Sequence, residues 1–262
     1  MPPPSSSRPG AFRRLGYRVR FAVAASLGGL AFLLWCFVGA VLALLTGGGP
    51  GVLPWATHSW AALLRLLLGW RLELEGRERL RRSSPAVFAG NHQSALDTVL
   101  FASIYPPRTV TLGKKEVLRI PFFGWFFVAS GNILVDRGNL ARARESIREA
   151  ARRMTSEGLS VLVFPEGHRN LSPRLLPFKK GPFHLAIAAG APVVPIVMEP
   201  IGSLFRASRW MARSGRVRGR VLPEIPTEGL GEEDVDALAR RVQEAMQSAF
   251  DELAQDAREP IG

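Results

Sequence analysis

Apolar positions divide the chain into two unlike parts. Arg13, Arg14, Arg18 and Arg20 precede a stretch from Phe21 to Thr46, 26 residues without one charge. About 20 apolar residues span a bilayer core, so this run predicts a membrane helix. The apolar region of a cleaved signal peptide is shorter, about 7–15 residues, and a soluble core helix rarely goes so long without charge. GGGPGVLP at 47–54 then interrupts helical continuation. Residues 55–70 resume helical spacing with Trp55, Trp60 and Trp70, rings that suit a membrane interface. The expectation is a companion helix, returning or lying in the interface.

Beyond about residue 84, short continuous apolar runs alternate with helical ones. Candidate strands are Ala86–Gly90, Thr109–Leu112, Asn132–Val135, Ser160–Phe164 and Val193–Val197, each unbroken in the manner of parallel strands covered on both faces. Leu140–Met154 repeats apolar residues every 3.6 positions with Arg between them, and 232–256 does the same with Val235, Leu238, Val242, Met246, Ala249 and Leu253. The expectation is an α/β fold with a mostly parallel sheet flanked by helices, preceded by a two-helix membrane motif.

With 47% hydrophobic residues there is ample material for a core, which excludes a disordered chain. The single Cys36 excludes intrachain disulfides and a Cys-based zinc site. The 34 basic residues exceed the 22 acidic ones by 12, and all but Lys114, Lys115, Lys179 and Lys180 are Arg. An anionic partner is therefore expected. Arg flanks the apolar pair on both sides, from Arg8 to Arg20 and then at Arg71, Arg77, Arg79, Arg81 and Arg82. Such flanks are cytoplasmic, so the pair reads as a re-entrant or monotopic hairpin with the following domain in the cytosol. The division is a basic, disordered 1–20, a membrane-associated pair at 21–70 and a cytosolic domain at 71–262. Six Arg between 206 and 220 occur without an acid. They read as a nucleic-acid face or, more simply beside an anchor, as attraction to anionic lipid.

Two constellations directly follow strands. Asn91-His92-Gln93-Ser94-Ala95-Leu96-Asp97 follows AVFAG. Five positions rotate about 140° off-face on a helix, so His92 and Asp97 meet only if His92 lies in the turn and Asp97 in the first helical turn. Ser94 is a candidate N-cap for a helix over 95–104. A carboxylate on one imidazole nitrogen makes the other a base toward a hydroxyl or water; alternatively Ser94 and Asp97 form a capping box. Phe164-Pro165-Glu166-Gly167-His168-Arg169-Asn170 follows SVLVF. Arg169 can fork onto phosphate and Gly167 admits close backbone approach, or the string is a solvated surface turn. Arg137, ending GNILVDR, is a phosphate ligand or half of a surface ion pair. Lys114, ahead of IPFFGWFF, is an oxyanion donor or a solvated helix start. The spacing of His92, Asp97, His168 and His184 matches no metal pattern, and no metal is expected.

Taken in order, NHQSALD (91–97), GNILVDR (131–137), FPEGHRN (164–170) and APVVPIV (191–197) resemble the four motifs of the 1-acylglycerol-3-phosphate O-acyltransferases of the phospholipid and glycerol acyltransferase superfamily. GKKEVLRIPFFGW (113–125) and LLPFKKGPFHLAIAAG (175–190) add to the resemblance, which covers roughly 85–200. It implies a glycerol-phosphate acyltransferase-like domain in a bacterial inner membrane, facing the cytoplasm. The reaction implied carries a fatty acyl group from acyl-CoA or acyl-carrier protein to the sn-2 hydroxyl of lysophosphatidic acid, with no cofactor and no nucleic acid. His92 is then the base, Asp97 its orienting carboxylate and Lys114 the group near the thioester; Arg137, Glu166, Gly167 and Arg169 bind the glycerol phosphate. The third motif departs at His168 and Asn170, where the family has Thr and Ser, which leaves another lysolipid such as lyso-ornithine lipid open as acceptor. A hydrolase using the same pair on water is the other reading.

Overall fold

The computed structural model describes residues 10–49, 52–82, 85–136, 138–170, 172 and 174–255. It opens on α1 (Ala11–Leu45) and α2 (Val52–Leu68). The boundary drawn at residue 20 is absent: helix is continuous from Ala11 and includes Arg13, Arg14, Arg18 and Arg20, Arg being a strong helix former. α1 is sorted by size rather than by polarity. Its inner face is made of small residues, Ala24, Gly28, Ala31, Cys36, Gly39, Ala40 and Ala43. Its outer face exposes Leu15, Val19, Val23, Leu27, Leu30, Leu34, Phe37, Val41 and Leu44 in one stripe at steps of three and four. The small side lets neighbours approach closely: a Cβ on Gly28 would lie 2.3 Å from Leu64 Cδ2 of α2. Gly28→Leu is therefore expected to overpack the pair and cost about 1–3 kcal/mol, read as a lowered midpoint in chemical denaturation.

The helix pair ends earlier than its hydrophobicity suggests. Gly69, at φ +68°, turns the chain, and Trp70 opens β1 (Trp70–Glu75) instead of closing α2. Its indole N–H donates to the Arg213 carbonyl at 2.9 Å. The order then runs α3 (Arg79–Arg82), β2 (Val87–Gly90), α4 (Asp97–Ala102), β3 (Thr109–Lys114), α5 (Phe123–Ala129), β4 (Ile133–Val135), α6 (Leu140–Glu157), β5 (Ser160–Val163), α7 (Gly181–Ala189) and β6 (Val193–Met198). A small hairpin of β7 (Phe205–Arg206) and β8 (Met211–Ala212), β9 (Gly215–Val221) and α8 (Val235–Gln255) complete it. All five expected strands are present, with ends shifted by one or two residues.

The main sheet has the order β1-β9-β6-β2-β5-β3-β4. β6, β2, β5, β3 and β4 are mutually parallel, and β9 joins β6 antiparallel with β1 parallel to it. Strand alternation feeds two cores. Val87, Ala89, Val161, Val163, Val193 and Val197 pack toward α6, α7 and α8. Phe88, Leu162, Val194, Ile196 and Met198 pack toward α1, α2, α4 and α5.

β9, second from the edge beside β1, accounts for half of the Arg-rich stretch. Arg216 lies 3.7 Å from Glu73, Arg218 3.0 Å from Glu199, and Arg220 2.8 and 2.6 Å from Glu75 and Glu252. These three are thus paired within the protein, a correction to reading 206–220 as one lipid- or nucleic-acid-facing patch. Their acids come from β1, from the residue after β6 and from α8, all outside the stretch, which a local count misses.

Candidate active site

Parallel strands deliver their following loops to one edge of the sheet. β2, β5, β3 and β4 are consecutive there, so the loops carrying His92 and Glu166 are neighbours although 74 residues separate them. Lys114 ends β3, two strands from β2 or roughly 10 Å across the sheet. β4 ends at Val135 one strand further; Arg137 lies outside the described residues.

His92 sits in the turn after β2 and Asp97 opens α4, the arrangement their spacing demands. Asp97 Oδ2 lies 3.1 Å from His92 Nδ1 and accepts the backbone N–H of Gln93 at 2.5 Å and of Ser94 at 2.6 Å. Ser94 does not cap α4: its hydroxyl accepts from Leu96 N at 3.2 Å, and the helix starts at Asp97 with no side-chain cap. The carboxylate thus closes the turn on itself and brings the imidazole with it. With Nδ1 engaged, Nε2 carries no hydrogen bond to a described residue and is the free end of the ring. Phe164 stacks on the ring at 4.5 Å between centroids, and the side chain retains 17% exposure. It is a half-covered base with one nitrogen held and one offered.

The third motif backs this loop. Glu166 is fully buried. Its Oε1 accepts from His92 N at 2.8 Å and its Oε2 from Leu176 N at 3.0 Å and Asn170 Nδ2 at 3.3 Å. Both oxygens are therefore spent on the protein. The resemblance implied a substrate contact, whereas the structure puts this carboxylate behind His92, where it positions the loop. Gly167 adopts φ +80°, a conformation that favours glycine, and aims the chain so that His168 and Arg169 are exposed. Asn170 ties the two loops: its N–H donates to the His92 carbonyl at 2.8 Å and its side chain reaches Glu166 and the Arg174 carbonyl. Sequence reasoning noted Asn170 only as a departure and missed this role; its position four residues after Glu166 in a turn was the available signal. Lys114 is exposed at its strand end, while Lys115 bonds Asp136 at 2.9 Å. That ammonium holds the Asp136 carboxyl below the usual carboxylate range.

Phe164 also lines an apolar cavity of about 570 Å³ between the helix pair and the sheet, with Gly28, Gly29, Phe32 and Trp60 on one side and Leu96, Phe101 and Leu162 on the other. The cavity therefore reaches the base through a shared ring. It was not legible in the sequence, because α1 and α2 had no assigned place against the sheet.

A family model described as acyltransferase matches residues 71–199. The chain is 33% identical over 224 residues to a 1-acyl-sn-glycerol-3-phosphate acyltransferase of Haemophilus influenzae, covering 86% of this chain and 92% of that one. It is 38% identical over 195 residues to the alpha form of the same enzyme from Homo sapiens, covering 74% and 69%. In structure it superimposes on the 1-acyl-sn-glycerophosphate acyltransferase of Thermotoga maritima with a TM-score of 0.73 and 21% identity, over 95% of this chain and 98% of that one.

Proposed function

The chain belongs to the 1-acyl-sn-glycerol-3-phosphate acyltransferase family, and from that premise we propose that it acylates the sn-2 hydroxyl of lysophosphatidic acid to give phosphatidic acid. The observation that carries the mechanism is an imidazole fixed at Nδ1 by Asp97 beside an apolar cavity. His92 Nε2 accepts the proton of the acceptor hydroxyl as its oxygen attacks the thioester carbonyl of acyl-CoA or acyl-carrier protein. The C–O bond forms, the tetrahedral oxyanion is held by donors such as Lys114, and the C–S bond breaks. The leaving thiolate recovers the proton from His92, so the imidazole ends neutral. Asp97 keeps the ring in the required tautomer. Arg169, exposed one strand from His92, and Arg137 bind the acceptor's phosphate. The acyl donor is a co-substrate and the scheme uses no resident cofactor.

The fatty chain lies in the cavity beneath Phe164. Gly29 lines this cavity, and a Cβ added there would meet nothing within 4 Å. Gly29→Leu is accordingly expected to shorten the preferred acyl chain, read from competition between donors of graded length.

α1 is long and apolar enough to cross a membrane, but its inner face is occupied by α2, α5 and the β7–β8 hairpin. Only the outer stripe is left for lipid, so the helix lies along one leaflet instead of crossing both. The Arg-rich flanks favour the cytoplasmic side of the membrane, in keeping with a location at a bacterial inner membrane. Purified protein incubated with labelled acyl-CoA, acyl-carrier protein and a panel of lysolipids, including lyso-ornithine lipid, tests the whole reading by product mass. Phosphatidic acid is the expected product. A different acylated lipid would move the acceptor, and donor loss without acceptor would make the protein a hydrolase.

A further inference from the structure

Arg216, Arg218 and Arg220 pair with acids, whereas Arg213, just before them, bonds no acid through its buried nitrogens. No Asp or Glu occurs between residues 11 and 72 or between 200 and 223, and these two segments pack on each other. Phe21 of α1 stacks on Phe205 at 5.8 Å and meets Trp210 edge-on at 5.4 Å. Arg20 Nη1 donates to the Leu68 carbonyl at 3.1 Å and lies against Gly69, which in turn abuts Ser214. Arg213 Nε and Nη2, beside this contact, and Arg14 Nε, two turns before Phe21 on α1, are buried and bond no described residue. The hairpin packs on α1 at Phe21, and the loop that follows it carries Arg213. Arg14, Tyr17 and Phe21 share that face of α1 by their spacing.

Guanidinium nitrogens shut off from water are matched best by an anion, and neither segment contains an acid. The surroundings say which kind. Trp210 stands 68% exposed on a left-handed backbone, φ 54°, and Phe12 and Leu15 at the same end of α1 are 90% and 59% exposed. A soluble anion gains nothing from these apolar groups, whereas a phospholipid presents a phosphate and an acyl region together. We infer that Arg14 and Arg213, with Arg20 near the hairpin, form a binding site for the headgroup phosphate of an anionic phospholipid of the surrounding leaflet, distinct from the catalytic pair. Fork geometry suits phosphate, and juxtamembrane Arg draws anionic lipid. The site rests on reading the α1 stripe as lipid-facing.

The test is flotation of the full chain with phosphatidylcholine vesicles, with and without phosphatidylglycerol. Wild-type protein should bind both and prefer the anionic ones. Arg14→Gln and Arg213→Gln should each weaken anionic binding, and together by about tenfold or more, leaving phosphatidylcholine binding and micellar acyl transfer unchanged. Arg14→Gln alone serves if the buried Arg213 change disturbs folding. Failure of wild type to bind either vesicle would sink the lipid-facing reading itself. Undiminished anionic preference in the folded variants would overturn the site alone, as would millimolar inorganic phosphate abolishing that preference, since the ligand would then be a soluble anion.

Discussion

His92→Ala should lower acyl transfer by about 10²–10⁴-fold, the usual scale for a general base, while leaving the protein folded. The fold is expected to survive because Asp97 keeps its bonds to the Gln93 and Ser94 amides without the ring, and the His92 backbone bonds, N–H donating to Glu166 and carbonyl accepting from Asn170 N–H, do not need the side chain. The loss should fall on kcat, since the imidazole touches the reacting hydroxyl and not the acyl chain in its cavity. Steady-state kinetics against lysophosphatidic acid, with circular dichroism as the control for folding, decides the matter. Transfer within a factor of a few of wild type would remove the imidazole from the mechanism.

Glu166 carries the second large expectation. Removing its carboxylate in Glu166→Ala leaves the amides of His92 and Leu176 buried without acceptors, at about 1–3 kcal/mol for each group. Melting temperature should fall markedly and activity with it. Glu166→Gln separates position from charge: volume is kept, but one oxygen becomes an NH2 that faces a donor, so an intermediate loss is expected. Because the carboxylate supports the His92 loop, the residual Gln activity should be lost mainly in kcat. A rise confined to the KM for lysophosphatidic acid would return Glu166 to the substrate contacts.

These two residues also show what local pattern can and cannot reveal. The five central strands were visible as continuous apolar runs because both sheet faces are covered, and a strand followed by His-x4-Asp allowed only one way for the two side chains to meet. The direction of Glu166 was hidden. A Pro-Glu-Gly turn looks the same whether its carboxylate faces water or the interior, and the donors that draw it inward belong to residues 92 and 176. Strands β1 and β9 escaped notice for a related reason. WRLELE and GRVRGRV alternate, and their charges read as a membrane flank and a lipid- or nucleic-acid-facing patch until Glu73, Glu75, Glu199 and Glu252 are placed beside the Arg residues. Continuity of α1 through Arg13 to Arg20 was masked by treating charge as the end of a helix, which it is not.

The position of β5 has a consequence for biosynthesis. A ribosome releases the greasy N-terminal segment first, and β2, β3 and β4 follow long before β5, which must slot between β2 and β3. Until it does, His92 has no Glu166 behind it and no Phe164 against its ring. The support behind His92 is therefore complete only once this central strand is in place.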